Sequence, residues 1–185
     1  TSSQGKSRYD MITRGILGIT GKRIEEFEKA DIILRTIRLK ENNMPKEAIS
    51  FSSFRIKELV EENWDNSSIP ENLGKKFLFV VYQYHRPVGD KEFNNEYLFL
   101  RKVFFWNMPY EDLENVVRFA WEKVKKGFLL GQDSPLKSSD KMIIHIRPHA
   151  KNSQDLDVMP NGTFTTKKSF WLNQKYLKQV IENNN

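Results

Sequence analysis

Apolar positions along this chain keep two periods, and each predicts a different element. From Pro109 onward, Leu113, Val116, Val117, Ala120, Trp121 and Val124 recur at i, i+3 and i+4, which lays one apolar stripe along a helix. Glu111, Asp112 and Glu114 stand in its first turn. Lys123, Lys125 and Lys126 stand in its last, and Gly127 follows. Both charge placements complement the helix dipole. A shorter helix is expected over residues 10–19, ending near Gly18, with Gly21 opening a loop; an amphipathic one is expected over 175–181. Elsewhere the pattern is that of strands. Residues 76–84 (KFLFVVYQY) form the strongest strand and are expected at the centre of a sheet. Residues 96–106 (EYLFLRKVFFW) are its partner, across a hairpin loop at 86–95 containing Pro87 and Gly89. Residues 31–39 (DIILRTIRL) are rich in β-branched side chains with charges interleaved. After a turn at 42–45, residues 47–56 read as a second strand paired with that one. Residues 57–70 are polar and turn-rich after a short helical stretch. Residues 141–147 (KMIIHIR) read as a strand stopped by Pro148, and 163–166 as a short edge strand. Helices and strands mix without regular alternation, which predicts an α+β or mixed-sheet α/β fold, one domain over residues 1–185.

Composition narrows this picture. At 185 residues the chain has room for one domain of roughly 150 residues and little more, and it can bury a core without staples. It has no cysteine, which excludes disulfides, thiolate metal sites and cysteine nucleophiles. The longest apolar runs are short, so no membrane helix and no membrane partner are expected. The opening residues TSSQGK carry neither an initiator Met nor an apolar segment. That predicts a piece of a longer chain with no signal peptide.

The net charge is +6, a balance that favours a polyanionic partner. Its placement says more than its size. Residues 1–23 hold five Lys/Arg against one acid, and residues 134–185 hold eight against four; the middle holds seventeen against nineteen. All the excess positive charge therefore lies near the two ends. The ends make one basic face if they meet, or two unrelated solvated surfaces if they do not.

Few constellations suggest catalysis. His145 and His149 are four apart, metal spacing on a helix, but Pro148 lies between them and the segment reads as a strand entering a loop. No Cys or adjacent acid completes a zinc site. There is no glycine-rich phosphate loop and no Gly-x-Ser-x-Gly elbow. The second basic end carries more. Arg147, Pro148, His149, Ala150, Lys151 and Asn152 follow a strand directly. The proline stiffens the loop, and the donors around it suit base edges in a groove. Thr165, Thr166, Lys167 and Lys168 add two hydroxyls and two cations of the kind that hold phosphates; a solvated hairpin edge is the plainer reading. Phe164, Phe170 and Trp171 beside them read as core.

Six short segments, taken in order, resemble the MutH-type mismatch-repair nicking endonucleases and the related GATC-cutting type IIE restriction endonucleases. Ile16-Leu17-Gly18 is similar to the end of the family's first helix, and Leu34-Arg35-Thr36-Ile37 to its catalytic strand. Trp106, with the acid-capped helix and then Leu130-Gly131-Gln132, is similar to its long helix and following turn. Ile146-Arg147-Pro148 resembles its base-reading loop, and Phe164, Lys167-Lys168 and Phe170 its last hairpin. The resemblance implies a restriction-endonuclease-like fold: a central mixed sheet flanked by helices.

The family cuts GATC-containing DNA with carboxylates that hold Mg²⁺ and a lysine that helps orient or activate the attacking water. Its pattern is an Asp, a Glu seven positions later and a Lys two beyond, plus a Glu from the first helix. Carried onto this sequence, those positions hold Glu26, Ile33 and Arg35, with Arg14 near the fourth. A hydrocarbon cannot ligate a hard cation, and an arginine is a poor proton carrier. The resemblance therefore implies a nuclease fold with no catalytic residues and no metal of its own. Glu25, Glu28 or Asp31 would have to regroup to rebuild one. The DNA-contacting types are kept: Lys6 falls close to a family lysine and Arg147-Pro148 stands intact, while Thr165 replaces a family tyrosine. The expected DNA-binding set is Lys6, Arg147, Pro148, His149, Lys151, Thr165, Lys167 and Lys168. In the type IIE relatives, a degenerate second half binds another copy of the site and regulates the active first half. This chain resembles that C-terminal half. Its expected partners are double-stranded GATC DNA and the N-terminal catalytic half of the same polypeptide, where Mg²⁺ would reside, in a bacterial cytoplasm.

Overall fold

A computed structural model describes residues 11–15, 18, 27, 29–89 and 97–184. In chain order the strands are β1 (Ile32–Leu39), β2 (Ile49–Phe54), β3 (Lys76–Tyr84), β4 (Leu98–Trp106), β5 (Ile144–Pro148), β6 (Leu156–Val158), β7 (Phe164–Thr166) and β8 (Lys168–Leu172). Residues 11–15 are helical, and the helices bounded within the described residues are α1 (Ile56–Glu61), α2 (Ser68–Leu73), α3 (Arg118–Leu129) and α4 (Gln174–Asn183). They fall into two compact units, each drawn from separated stretches of chain. One lies within Thr1–Glu47, Lys75–Asn107 and the last two residues. The other comprises Ala48–Gly74 and Met108–Asn183.

The first unit holds a mixed sheet in the order β1-β3-β4, with β1 parallel and β4 antiparallel to β3. The expected central position of 76–84 is observed. Every residue from Phe77 to Tyr84 is buried, because a strand covered on both faces needs apolar side chains at odd and even positions alike. One face carries Phe77 and Phe79, whose rings pack on Trp106 at 5.6 and 5.5 Å. The other buries Val80, Tyr82 and Tyr84 with Leu98, and the Tyr82 hydroxyl lies 3.0 Å from that of Thr13.

The second unit holds an antiparallel sheet in the order β2-β8-β5 and a separate β6-β7 hairpin. On β5 and β8 the side chains alternate. Ile144, Ile146, Phe170 and Leu172 are core, whereas His145 faces Trp171, and Arg147 faces Ser169, on the opposite side. Leading into α3, Asp112–Val117 forms a wide π-helical turn. Val117, Ala120, Trp121 and Val124 of the anticipated stripe are buried.

Four local expectations are corrected. Residues 47–56 do not pair with β1: β2 lies against β8, because Phe54 packs on Phe170 and Phe128 at 5.0 and 6.1 Å. The stretch 57–70 holds more helix than its polarity suggests, since the Ser67 hydroxyl caps α2 by accepting from the Ile69 amide. Gly127 does not follow the last helical turn, because α3 runs on to Leu129. Gly131, at φ +76°, makes the exit, with its amide on Phe128 O and that of Gln132 on Gly127 O. Strands β6 and β8 were not anticipated; each is too short to carry a period of its own. No helix among the described residues is long and apolar enough to cross a membrane.

Candidate nucleic-acid interface

The end of β5 delivers a small cationic platform. Arg147 is exposed, and its guanidinium carbon stands 5.0 Å from the centre of the Trp171 ring. The two residues lie on the same sheet face by alternation, so a cation–π contact holds the arginine without neutralising it. His149 closes the other side. Its ring lies 5.6 Å from Trp171, its Nδ1 is 2.8 Å from Ser169 Oγ, and its amide donates to Lys167 O at 2.8 Å. Pro148 is the last strand residue, paired with Lys168.

Asp155 ties down the loop that follows. Its carboxylate accepts from the Lys151 amide at 3.0 Å and meets the Lys167 ammonium at 2.5 Å. The Lys167 hydrogen bond, then that of Lys151, holds this carboxyl below its usual range. Lys151 itself points its side chain into solvent. Arg147, Pro148, His149, Lys151 and Lys167 are thus brought together, with Lys167 already paired.

Lys168 and Thr165 are not part of that surface. Lys168 is 1% exposed. Its ammonium donates to Thr165 Oγ1 at 2.9 Å and lies 3.0 Å from Asp133 Oδ1, and the Thr165 hydroxyl donates to the same carboxylate. Lys168 opens β8 two residues before the core residue Phe170, so alternation along the strand turns it inward as well. A buried ammonium survives only with such partners. Phe164 is also corrected: expected in the core, it is 71% exposed. Trp171 is half-buried beneath Arg147, while Phe170 is core as anticipated. Trp171, Ser169 and Asp155 were missed as parts of the site. The alternation of β8 beside β5 would have signalled the first two, had β8 been recognised. Lys6 lies outside the described residues, as does most of the first basic end.

His145 sits behind this platform. It is 2% exposed, and neither ring nitrogen has a hydrogen-bond partner among the described residues. Burial, and then the charge of Arg147, pushes it down to about 4.

Two of the positions that the resemblance assigns to the family's metal site lie on β1. Ile33 and Arg35 share one face of the strand, in register with Phe77 and Phe79. Those rings stack 5.5 Å apart. Burial pulls the Arg35 guanidinium below its ordinary pKa, and the Nη1 atom donates to Leu34 O at 3.2 Å. Asp31 is held by Lys75 at 2.9 Å. This set of an aliphatic chain, a guanidinium and aromatic rings does not fit a divalent cation, which needs several oxygen ligands. Glu25, Glu26 and Glu28 lie outside the described residues.

Comparison with known proteins agrees with the residue pattern. Residues 19–118 match the family described as DNA mismatch repair enzyme MutH. The chain is also 28% identical, over 92% of its length, to the type II restriction enzyme Sau3AI of Staphylococcus aureus, of which it spans 44%.

Proposed function

The chain belongs to the MutH family of DNA-acting enzymes, and we propose that it is a non-cutting member that binds double-stranded GATC DNA and regulates a cutting partner. Nuclease-related action on DNA follows from the family. The finer reading rests chiefly on one observation. Arg147 is held over Trp171 at a strand end, charged and exposed, while the positions of the family's metal cage hold Ile33 and Arg35 beside aromatic rings. In this reading Arg147 and His149 read base edges, Pro148 stiffens the loop, and Lys151 holds a phosphate. Lys167 joins it when a phosphate displaces Asp155, and Lys6, which lies outside the described residues, is a further DNA contact that the resemblance implies. The GATC preference comes from the family resemblance. The partner is the N-terminal catalytic half of a longer cytoplasmic bacterial enzyme, the half that carries Mg²⁺. DNA bound here would favour the cutting-competent state of that half by a coupling free energy.

The test is a titration of this chain with GATC and scrambled duplexes at two salt concentrations. GATC should bind more tightly at both. Arg147→Ala should cost about 1–3 kcal/mol of discrimination at one base pair, and Trp171→Leu part of that. Equal weakening of all sequences by Arg147→Ala would remove its reading role. Incubation with GATC plasmid and Mg²⁺ or Mn²⁺ should leave the plasmid intact. Nicking abolished by Asp31→Ala would replace this reading with an active nuclease built on regrouped carboxylates. No binding to any duplex at low salt would leave a protein-docking module.

A further inference from the structure

The first unit carries a cavity of about 550 Å³ lined by Glu41, Asn43, Gln83, His85, Phe99 and Arg101, among others. It is distinct from the Arg147 platform, which belongs to the second unit. Arg101 is its organising group. The arginine Nη1 donates to Asn43 Oδ1 at 2.8 Å and to Gln83 Oε1 at 2.7 Å. Gln83 is oriented in turn, since its Nε2 donates to Lys40 O at 2.8 Å. Two neutral amide oxygens thus aim the guanidinium and leave its charge in place. Among the described residues no carboxylate pairs with Arg101.

Asn43 does this from a turn at φ +60°, closed by its own amide on Lys40 O at 2.9 Å. Asparagine is among the few side chains tolerated there. Glycine would suit the turn better but could not hold Arg101. The floor beside the cation is aromatic: Phe99 is 56% exposed, and the His85 ring leans on it at 5.8 Å. Among the described residues the remaining charges at the rim are Arg86 and Glu41, which pair at 3.4 Å, so within that set Arg101 is the uncompensated cation of the cavity.

We propose that this cavity binds one nucleotide of a nucleic-acid strand, with the phosphate on Arg101 and the base on the open face of Phe99. A phosphate accepts from an arginine fork better than from any other side chain. A base of any identity stacks on an exposed ring. A bare anion would gain nothing from Phe99, and an apolar ligand nothing from Arg101. The site does not rest on the GATC reading, because it needs neither a duplex nor Arg147.

The experiment is an NMR titration of the whole chain with 5′-dAMP, deoxyadenosine, inorganic phosphate and a single-stranded dodecamer. Shifts are expected at Asn43, Gln83, Phe99 and Arg101. Binding of dAMP should exceed that of deoxyadenosine or phosphate by roughly tenfold or more, the dodecamer binding more tightly still. Arg101→Gln should abolish most of it. Phe99→Ala and Asn43→Gly should each weaken it severalfold, the second without disturbing the turn. Glu41→Gln should strengthen it, by releasing Arg86 and removing a negative charge. Arg147→Ala should leave it unchanged, and Arg101→Gln should leave GATC discrimination unchanged, so the two sites stand or fall separately. No shift at these residues, or full dAMP affinity in Arg101→Gln, would overturn the proposal. Phosphate binding as tightly as dAMP would reduce the site to an anion hole. Equal affinity for dAMP and dodecamer would assign it to a free nucleotide and overturn the strand contact.

Discussion

Lys151 and Lys168 are the same residue type in the same basic stretch, and their surroundings give them opposite work. Lys151 is exposed. Lys168 is enclosed by Asp133 and Thr165. Lys151→Ala should therefore flatten the salt dependence of DNA binding by roughly 0.9 log units per log salt, the loss of one phosphate contact, and Lys168→Met should not change the slope. Stability should show the reverse. Asp133→Asn leaves a buried ammonium short of its counter-charge. A denaturant titration should show a loss of about 1–2 kcal/mol, below the full cost of an orphaned buried charge because water reaches Asp133. Burial works to raise the Asp133 carboxyl, but the bonds from Thr165 and Lys168 and the Lys168 charge hold it below its ordinary 3.8. A lowered acid stabilises fully above its unfolded value, so this contribution is complete at neutral pH and fades only as pH falls below the ordinary carboxylate range. His145 has the same sign in a higher pH window. Burial first, then Arg147, pushes it down to about 4 from 6.5. The unfolded chain takes up that proton first, so stability should decline as pH falls between those values. Unfolding measured at about pH 7 and about pH 4.5 should show a shallower decline in His145→Gln. An unchanged slope would mean that His145 does not carry it.

At the scale of elements, helix α3 shows how a sequence rule can name the right residue for the wrong reason. A glycine after three lysines reads as a stop. Yet Gly127 is inside the helix, where a Cβ would stand 2.1 Å from Pro135 Cβ. Helix propensity alone would make Gly127→Ala stabilising by about 1 kcal/mol. The contact reverses the sign, and a thermal or urea melt should show a loss of about 1–3 kcal/mol, the usual cost of overpacking. The entry to the helix is set in a similar way by distant groups. Tyr176 donates to Asp112 at 2.6 Å, and the Trp64 indole donates to Glu114 at 3.0 Å. Those acids suit the helix dipole, as their position suggests, but they also serve as acceptors for α4 and for the turn before α2. Periodicity names the face of α3 and cannot name these partners, because they come from residues fifty or more positions away.

At the scale of the whole molecule, neither unit is a continuous piece of chain. The second needs β2, from Ala48–Gly74, beside β8, from Met108–Asn183. A protein beginning at Met108 would leave one edge of β8 unpaired and Phe54 missing from its ring cluster. It should give a broad, non-cooperative melt and rapid amide exchange in β8, whereas the full chain should melt sharply; a sharp melt of the shorter chain would show that β2 is dispensable. What the amino-acid order determined is what local physics encodes. The period of residues 76–84 marks a doubly covered strand, the stripe on α3 marks its buried face, and the hydrocarbon of Ile33 with the guanidinium of Arg35, two apart on one strand face, marks a strand unsuited to a cation. Arg147 at a strand end was legible for the same reason, since Pro148 stops the strand in its own neighbourhood. Tertiary structure alone decided which cations are free. Lys168 turns inward and Lys167 is paired because β7, β8 and the Asp155 loop meet there. Trp171 lies under Arg147, and Asn43 and Gln83 aim Arg101, only through strand register. Charge and hydropathy belong to single residues, but the availability of a charge depends on which acceptors the fold brings within three ångströms of it.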